Sequence, residues 1–550
     1  MNTKNFKNIA LSLVAGCGLA ATLAACSDWD DHYTGTSGME EPGATLWEQL
    51  KANPQLSDFC EVLDQTKIYR LHQKKSASYA DILSSGQTFT VMAPVNGTFN
   101  KDSLLQLVQT VVGDSSVERS FVQNHISRSL VSVKSDPVRM LMLNMKRINM
   151  ADGQFDGVDV SIANQRASNG VLHVIQKSLP YNHNIYEMLC DNPDLVNIGT
   201  NLRRFNEDIF DPEASLSNGV VDGVPVYIDS VVYERNRVLD VIGLLRAEDS
   251  TYVAVVPTTE GWKEAWDEAS SYFNFEDGMQ KRDSLQQLYT TIALMQDAVF
   301  NMTDQKSPQD SLISVPYLRE NFTFPKGKHV YHVFKNPYDE GGILYGAKAL
   351  DCSNGLVYTQ EKWPFTPEAT YFKELFVEGE STHLITDYTK CVYNIRQIVS
   401  DQVSNGRFLR IAPLSATDNW TVDFQIYGTL SGSYDIYAIV LPKTIYNENA
   451  EKLLPNKFKA TISYLGQNGK TQSYSCKTAE NKTEFVTAPE RIDTVLIAED
   501  FKFPVSSYGQ DGNRVSIKLA CSITARQTST YDREMYLDCI YLKPRTSKPE

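Results

Sequence analysis

The last third of the chain is dominated by a strict alternation of apolar and polar residues. Residues 422–426, 434–440 and 515–523 each place apolar side chains at every second position. A period of two puts one face of a strand in a core and the other face toward water. Dipeptides that favour hairpin turns lie before these runs, at Asn405-Gly406, and between them, at Asn468-Gly469 and Asp511-Gly512. The pattern predicts a single all-β sandwich over residues 366–550.

The first two thirds of the chain contain a duplication. A capped helix followed by proline, a buried strand that ends in proline, and an Asn-Gly turn leading into an apolar strand occur twice in the same order. The paired segments are 45–56 and 184–195, 88–94 and 251–257, and 168–172 and 353–357. Three repeats in one order predict two homologous α+β domains, 44–181 and 183–365. The spacing between paired segments grows along the chain, which indicates insertions in the second domain.

The first copy resembles fasciclin domains at three motifs. These are a strand with Ala-Pro followed by Asn, an apolar segment with His, and a closing strand that begins with Asn-Gly and contains His. The corresponding residues here are Ala93, Pro94, Asn96, His125, Asn169, Gly170 and His173. The resemblance implies an α+β fold and a structural role for these residues. It also implies adhesion or ligand binding at a cell surface rather than catalysis.

The two motif histidines occur only in the first copy. The second copy keeps Asn354-Gly355, but Tyr358 stands where the closing-strand histidine would be, and the other histidine is also missing. A histidine in an apolar segment usually holds a backbone carbonyl in the core. His125 and His173 are therefore predicted to be core residues rather than ligand contacts.

The sandwich segment resembles jelly-roll carbohydrate-binding modules. Residues 535–544 resemble the last strand of that fold, and residues 432–437 resemble a strand in its middle. The resemblance implies the jelly-roll fold more strongly than it implies that the segment binds a sugar. Aromatic rings beside carboxylate and amide groups suit the flat C–H faces of sugars, so Trp420, Tyr427 and Tyr437 are the candidate ligand-binding residues. The alternative is that these rings cover loops or pack against the second fasciclin-like domain.

The N-terminus has the pattern of a lipoprotein signal peptide. A positively charged start precedes an apolar run, and small residues lead into Cys26. We expect residues 1–25 to be removed and Cys26 to carry a covalent lipid. Cys17 is the alternative lipid site. An ordinary secretory signal with a chance cysteine is the other interpretation.

A lipidated acidic linker, residues 26–43, is predicted to follow the signal peptide. After the cysteine it begins with Ser27, Asp28, Trp29, Asp30 and Asp31. These residues resemble the acidic export tag that sends some lipoproteins of Gram-negative bacteria to the outer face of the outer membrane. A solvated linker is the alternative. The expected location is therefore the outer membrane, with the protein lipid-anchored and facing the cell exterior.

Charge and residue spacing exclude several functions. The net charge of −15 repels phosphate backbones, so no nucleic-acid partner is expected. Nine cysteines without a CxxC pair indicate neither a disulfide scaffold nor a zinc site. The sequence has no HExxH or GxSxG motif, and we predict no catalytic residue, metal or cofactor apart from the lipid.

Three classes of function remain. The first is a non-catalytic cell-surface lipoprotein for adhesion or ligand binding, which the domain content favours. The second is an accessory lipoprotein that captures polysaccharide or peptide for an outer-membrane nutrient importer, with the importer or another surface protein as its partner. The third is a hydrolase with an unrecognised site, for which paired carboxylates in one cleft would be the sign.

The lipid anchor is directly testable in the native bacterium. Cys26→Ala should abolish metabolic labelling with a fatty acid and leave the uncleaved precursor, because the sulfur that accepts the lipid is gone. Cys17→Ala is the matched control and should be labelled and processed normally. Labelled, processed protein from the Cys26→Ala gene would place the anchor at Cys17 or elsewhere.

Overall fold

The structure, a computed structural model, describes residues 43–546 apart from 71–72, 135, 222–223, 303–309, 316, 320–327, 331, 448–449, 451 and 509–514. The chain divides into two compact units, Met1–Tyr181 and Asn182–Glu550. The signal peptide, Cys26 and the acidic tag 27–31 lie outside the described residues and stay predictions. Among the helices that the structure describes, none is both long and apolar enough to cross a bilayer.

The described part of the first unit mixes short helices with strands. The helices are α1 Leu46–Ala52, α2 Ser57–Gln65, α3 Tyr79–Leu83, α4 Lys101–Leu107 and α5 Val111–Val117. The strands are β1 Lys67–Arg70, β2 Gln73–Ser78, β3 Phe89–Pro94, β4 Ile126–Ser127, β5 Val138–Leu141, β6 Arg147–Ala151, β7 Gln154–Phe155, β8 Val158–Ala167 and β9 Gly170–Ile175.

A parallel pair of strands lies within the main sheet of the first unit. The strand order is β4-β3-β9-β8-β7-β6-β5, and β3 runs parallel to β9 with Phe89 opposite Gly170. All six residues of β3 are buried. Val91 belongs to the core that contains α1 and α2, whereas Met92 belongs to a separate core of residues from β5 to β9. Burial of both faces explains why this strand is a continuous apolar run in the sequence.

The described part of the second unit begins with mixed elements and ends in strands alone, apart from short turns of helix. Its helices are α6 Ile185–Asp191, α7 Val196–Arg203, α8 Leu239–Ile242, α9 Thr259–Tyr272, α10 Arg282–Met295 and α11 Pro367–Thr370. Its first strands are β10 Asn206–Val221, β11 Val224–Asn236, β12 Tyr252–Pro257, β13 Val299–Asn301, β14 Ser311–Ile313, β15 Tyr317–Arg319, β16 Lys328–Val330, β17 Val333–Lys335, β18 Lys348–Cys352 and β19 Gly355–Gln360.

The sheet of the second copy repeats the topology of the first. Its order is β13-β12-β19-β18, which corresponds to β4-β3-β9-β8. In both copies the two inner strands are parallel and each outer strand is antiparallel to its neighbour. Tyr252 lies opposite Gly355, as Phe89 lies opposite Gly170. The predicted pair of α+β domains is confirmed. The hairpin β10–β11 is much longer than its counterpart β1–β2, as an insertion in the second copy would make it.

A buried asparagine connects three segments of the first copy. The Oδ1 of Asn169 accepts a hydrogen bond from the backbone N–H of Leu46 at 2.7 Å, at the start of α1. Its Nδ2 donates to the carbonyls of Leu83 at 2.9 Å and Ser85 at 2.7 Å. The side chain therefore satisfies one of the unpaired amides at a helix start and two loop carbonyls at once.

The second copy contains the same buried connection. The Oδ1 of Asn354 accepts from the N–H of Ile185 at 2.9 Å, at the start of α6. Its Nδ2 donates to the carbonyls of Leu245 and Ala247, both at 2.9 Å. The two asparagines are the residues that the sequence placed at the start of each closing strand, so the duplicated motif marks an equivalent set of hydrogen bonds.

The glycine after each asparagine is required by a close backbone approach. Gly170 has a φ of +151° and Gly355 a φ of +143°. A Cβ atom at Gly170 would lie 1.9 Å from the carbonyl oxygen of Phe89, and one at Gly355 would lie 1.8 Å from that of Tyr252. Any side chain would push the two parallel strands apart at the point where their pairing begins.

The predicted sandwich is present as two six-stranded sheets. Its strands are β20 Leu375–Glu378, β21 Ile385–Thr389, β22 Cys391–Gln397, β23 Arg407–Pro413, β24 Thr421–Gln425, β25 Gly432–Val440, β26 Lys457–Leu465, β27 Thr471–Ser475, β28 Phe485–Val486, β29 Asp493–Phe503, β30 Ser516–Cys521 and β31 Met535–Arg545. One sheet has the order β22-β23-β31-β25-β29 with β20 beside β31, and the other has β21-β24-β30-β26-β27 with β28 beside β26. The inward residues of both sheets form one core.

That core includes side chains from the second copy. Phe273 and Phe275, which follow α9, are almost fully buried within it. Between them, the Nδ2 of Asn274 donates at 2.8 Å to the side chain of Gln467 and to the carbonyl of Pro504. The domain boundary between residues 365 and 366 stays a prediction. Side chains from both sides of this boundary pack in one core.

We predict that each asparagine stabilises its own copy. Asn169→Ala should destabilise the first copy by about 2–4 kcal/mol, because it leaves a buried amide and two buried carbonyls without partners. Hydrogen exchange measured by mass spectrometry should speed up in α1 and β3. Asn354→Ala is the matched control and should speed exchange in α6 and β12 instead. Equal protection in both variants and the parent would contradict the proposed role.

Candidate functional site

Trp420 is a core residue and not an exposed platform. Its side chain is 1% exposed, and its Nε1 donates a hydrogen bond to the backbone oxygen of Arg533 at 2.6 Å. Trp420 shares the parity of Val422 and Phe424, so the alternation that turns those side chains inward turns this ring inward too. The prediction that Trp420 binds a ligand is therefore wrong.

Tyr427 and Tyr437 belong to different sheets. Tyr427 follows β24, and its half-buried ring packs against the sandwich core. Tyr437 lies in β25 of the other sheet and is also half-buried. The structure does not bring the three predicted aromatic residues together, because outward parity alone does not decide in which sheet a strand lies.

Tyr437 is instead one member of an aromatic ladder with Tyr541 and Phe376. These residues lie directly opposite one another on the neighbouring strands β25, β31 and β20. The ring centroids of Tyr437 and Tyr541 are 5.7 Å apart at an interplanar angle of 21°, and those of Tyr541 and Phe376 are 4.7 Å apart at 12°. The ladder is thus three nearly parallel rings in a row, and Phe376 is 44% exposed.

Charged groups lie at the Phe376 end of the ladder. The hydroxyl of Tyr541 donates a hydrogen bond to Glu374. Burial, with the neighbouring carboxylate of Glu374, raises the pKa of Tyr541, so its hydroxyl stays protonated. An open depression of about 560 Å³ is lined by Lys373, Glu374, Phe376 and Lys543 among others. This end therefore offers both an apolar face and groups that can hydrogen-bond to hydroxyls.

Sequence reasoning missed Phe376 and Tyr541. Both have outward parity in their strands, which is the signal that singled out Tyr437. The three residues are far apart in the chain, and only the strand order β20-β31-β25 makes them neighbours. Alternation predicts which face a residue takes but not which strands pair.

His125 is a core residue whose two nitrogens both have backbone partners. Its Nδ1 lies 2.7 Å from the carbonyl oxygen of Phe121 and donates to it, because its Nε2 accepts from the N–H of Leu179 at 2.9 Å. Burial lowers the pKa of His125 to about 4, so the ring is neutral at physiological pH. Neither nitrogen is available to a ligand.

His173 has the same kind of environment in the closing strand. Its Nε2 donates to the carbonyl of Val131 at 2.9 Å, and its Nδ1 accepts from the N–H of Asn164 at 3.2 Å. Burial lowers the pKa of His173 as well. Both motif histidines therefore act by holding backbone groups of the first copy.

Asn96 ties the end of β3 to the start of α2. Its Nδ2 donates to the carbonyl of Pro54 and to the hydroxyl of Ser57, both at 2.9 Å. Its Oδ1 accepts from the N–H of Asp58 at 3.0 Å. The preceding Ala93 and Pro94 are buried at the end of β3, so the Ala-Pro-x-Asn motif is a strand end fastened to a helix start.

An Asp–His–Ser group in the second copy is not arranged for nucleophilic catalysis. The Oδ1 of Asp297 accepts from Nδ1 of His332 and, at 3.3 Å, from the hydroxyl of Ser314. That hydroxyl also accepts from the backbone N–H of His332, whereas Nε2 of His332 contacts Lys373. A serine nucleophile needs its hydroxyl beside the imidazole nitrogen that takes its proton. Elsewhere in the described residues, no group of three or more His, Cys, Asp or Glu could hold a metal ion.

Comparison with known proteins identifies the first copy. Residues 64–180 match the family model of the fasciclin domain, which confirms the resemblance seen in the motifs. No curated protein sequence matches the chain.

Three solved structures are similar to parts of the chain. A FAS1 domain pair from the insect cell adhesion molecule Fasciclin I is 13% identical, with a TM-score of 0.20, and the match covers 58% of this chain and 99% of that one. A xylan-binding domain of carbohydrate-binding family 22 is 10% identical over 33% of this chain and 100% of its own, with a TM-score of 0.21. The C-terminal family 22 module of Clostridium thermocellum Xyn10B is 8% identical over 32% and 97%, with a TM-score of 0.20.

We predict that the first copy loses stability in acid through His125. Its pKa falls from 6.5 to about 4 on folding, so the unfolded chain binds more protons between these two values. The free energy of unfolding should therefore fall as the pH drops through that window, by about 2–3 kcal/mol at pH 4.5. Urea unfolding followed by the reactivity of the buried thiol of Cys60 toward a disulfide reagent active in acid would measure this.

The matched comparison is His125→Gln, which keeps a donor and an acceptor but cannot titrate. Its unfolding free energy should depend less on pH between 6.5 and 4. Asp538 in the sandwich supplies a contrast of opposite sign, because burial raises its pKa from 3.8 to about 7, so acid should stabilise that part. An equal pH dependence in His125→Gln and the parent would contradict the role of His125.

Proposed function

We propose that this fasciclin-domain protein is a non-catalytic binding protein of the cell surface, held to the outer membrane by a lipid on Cys26, and that its aromatic ladder captures polysaccharide. The observation that carries the proposal is the row of three rings formed by Tyr437, Tyr541 and Phe376 across adjacent strands.

The geometry of the ladder suits a ligand with flat apolar faces. Rings stacked this closely cover one another's inner faces, so the flat surface that the ladder offers is the outer face of Phe376 at its end. Sugars present C–H faces that can stack on such a ring. The ring of Phe376 is only partly buried by the protein, so much of its apolar surface stays in contact with water. A sugar that covers it would remove that surface from water.

The groups around the ladder suit the hydroxyls of the same ligand. Glu374 can accept, and Lys543 can donate, hydrogen bonds to a ligand beside the apolar face, since both line the depression there. Small-molecule sites combine an apolar surface with a few polar groups in this way. A peptide ligand, or an accessory role beside an outer-membrane importer, would use the same ladder with a different partner.

The proposed envelope location rests on the N-terminal sequence, and the non-catalytic role rests on the fasciclin domain. Fasciclin domains act in adhesion and binding, and the family match covers residues 64–180. In the second copy, the hydroxyl of Ser314 is bonded to Asp297 and to a backbone amide rather than placed beside an imidazole nitrogen that could take its proton. This arrangement is not that of a serine nucleophile.

The test is calorimetric titration of the chain from Ser27 to Glu550 with a panel of neutral and acidic polysaccharides. We predict that at least one neutral polysaccharide binds and that Phe376→Ala and Tyr541→Ala each weaken binding by about 1–3 kcal/mol. Tyr388→Ala is the matched control, because Tyr388 is 51% exposed on the opposite sheet. Binding that is lost in Tyr388→Ala but kept in both ladder variants would refute the proposal, as would the absence of heat with every polysaccharide.

A further inference from the structure

A polar groove lies on the helical side of the second fasciclin copy. It has a volume of about 360 Å³ and is bounded by α7, α9 and α10. Asn197, Asn201 and Arg204 share one face of α7 and its end, since they are spaced four and three residues apart. Lys263 and Trp266 reach the groove from α9, and glutamines reach it from α10.

The basic groups of this groove have no partner among the residues that the structure describes. In the described part of the chain, neither Arg204 nor Lys263 makes an ion pair or a side-chain hydrogen bond. Arg204 differs in this from the neighbouring arginines of the second copy. Carboxylates pair with Arg203, Arg235, Arg237, Arg246 and Arg282.

The first copy has carboxylates where the groove has neutral groups. There, Lys101 at the start of α4 pairs with Asp58 at 3.3 Å and Glu61 at 2.9 Å, both on α2. Helix α2 corresponds to α7 through the repeated motif, and this correspondence places Asn197 at the position of Asp58 and Thr200 at that of Glu61. The acidic groups that neutralise the basic side chain in the first copy are thus absent from the second.

The groove therefore presents positive charge in an acidic protein. The chain has a net charge of −15, yet none of the residues that line the groove is Asp or Glu. A concave site with one sign of charge concentrates ligands of the opposite sign. The planar guanidinium of Arg204 is suited to bind a carboxylate through two parallel hydrogen bonds.

The other lining groups indicate that the anionic ligand carries hydroxyls and a flat apolar face. The side-chain amides of Asn197 and Asn201 both donate and accept, as sugar hydroxyls require. Trp266 is half-buried and stands 6.1 Å from Trp262, centroid to centroid. The indole Nε1 of Trp262 is buried without a hydrogen-bond partner in the described residues. A ring surface beside amides and a free guanidinium matches a sugar acid.

We infer that this groove, the copy-2 groove, binds acidic oligosaccharides through the carboxylates of their uronic acid residues. It is a second ligand site, separate from the aromatic ladder in residues, position in the fold and charge. The inference does not rest on the ladder, and the two can fail independently.

The test is calorimetric titration of the chain from Ser27 to Glu550 with a short oligogalacturonate and with its methyl ester, which has the same sugar rings without the charge. The acid form should bind and the ester should bind at least about tenfold more weakly. Arg204→Gln and Lys263→Gln should each weaken binding of the acid form by about tenfold or more. Both side chains are exposed, so these variants are expected to fold, and circular dichroism would verify it.

Matched controls separate this site from its surroundings and from the ladder. Arg203→Gln changes the adjacent arginine, which is paired with Asp191, and should leave binding unchanged. Phe376→Ala should also leave it unchanged. Loss of binding in Phe376→Ala with none in Arg204→Gln would overturn the inference and assign the ligand to the ladder. A sulfated dextran that binds when oligogalacturonate does not would overturn the carboxylate assignment, and no binding of either acidic probe would overturn the site itself.

Discussion

The second unit depends on a short segment, residues 272–277, that leaves α9 and enters the core of the sandwich. Phe273 and Phe275 are buried among sandwich side chains, and the backbone carbonyl of Asn274 accepts from the N–H of Ser506 at 2.7 Å. Burial of two aromatic rings contributes several kcal/mol, on the order of 2–3 kcal/mol each. Because these rings belong to the second copy and lie in the same buried cluster as the inward residues of both sandwich sheets, the two predicted domains share one core.

This shared core links the copy-2 groove of the second copy to the sandwich. Helices α9 and α10 bound the copy-2 groove, and the segment that joins them is the one that enters the sandwich. Movement of the segment would therefore change both the core and the groove. We regard the second copy and the sandwich as a single binding body that carries two surfaces of different chemistry, an aromatic ladder and a basic groove.

The two copies keep their buried hydrogen bonds and differ on their surfaces. Asn169 and Asn354 make equivalent sets of three bonds, since loss of either leaves buried backbone groups without partners. The closing-strand histidine is not shared by the two copies, because Tyr358 of the second copy stands in the place of His173. Asp58 and its counterpart Asn197 differ without cost to the core, as both lie at the surface of a helix. Surface positions can thus differ between the copies while the buried hydrogen bonds stay the same.

Much of the fold could be predicted from the sequence, but less of the site. The Asn405-Gly406 dipeptide predicted a hairpin, and both residues take positive φ, 53° and 63°, between β22 and β23. Trp420 was misassigned although its own parity with Val422 placed it inside. The ladder could not be predicted, because it depends on which strands distant in sequence lie side by side. The groove could not be predicted either, because amides on a helix face look the same in sequence whether they line a groove or face bulk water.

We expect the second copy and the sandwich to unfold as one cooperative body, and buried thiols test this most directly. Cys190 reports on the second copy and Cys476 on the sandwich, and both are free and buried. During urea unfolding, the two thiols should become reactive at the same urea concentration, and Phe273→Ala should lower that concentration equally for both. Separate midpoints for the two thiols, or a shift of only one of them in Phe273→Ala, would contradict the claim.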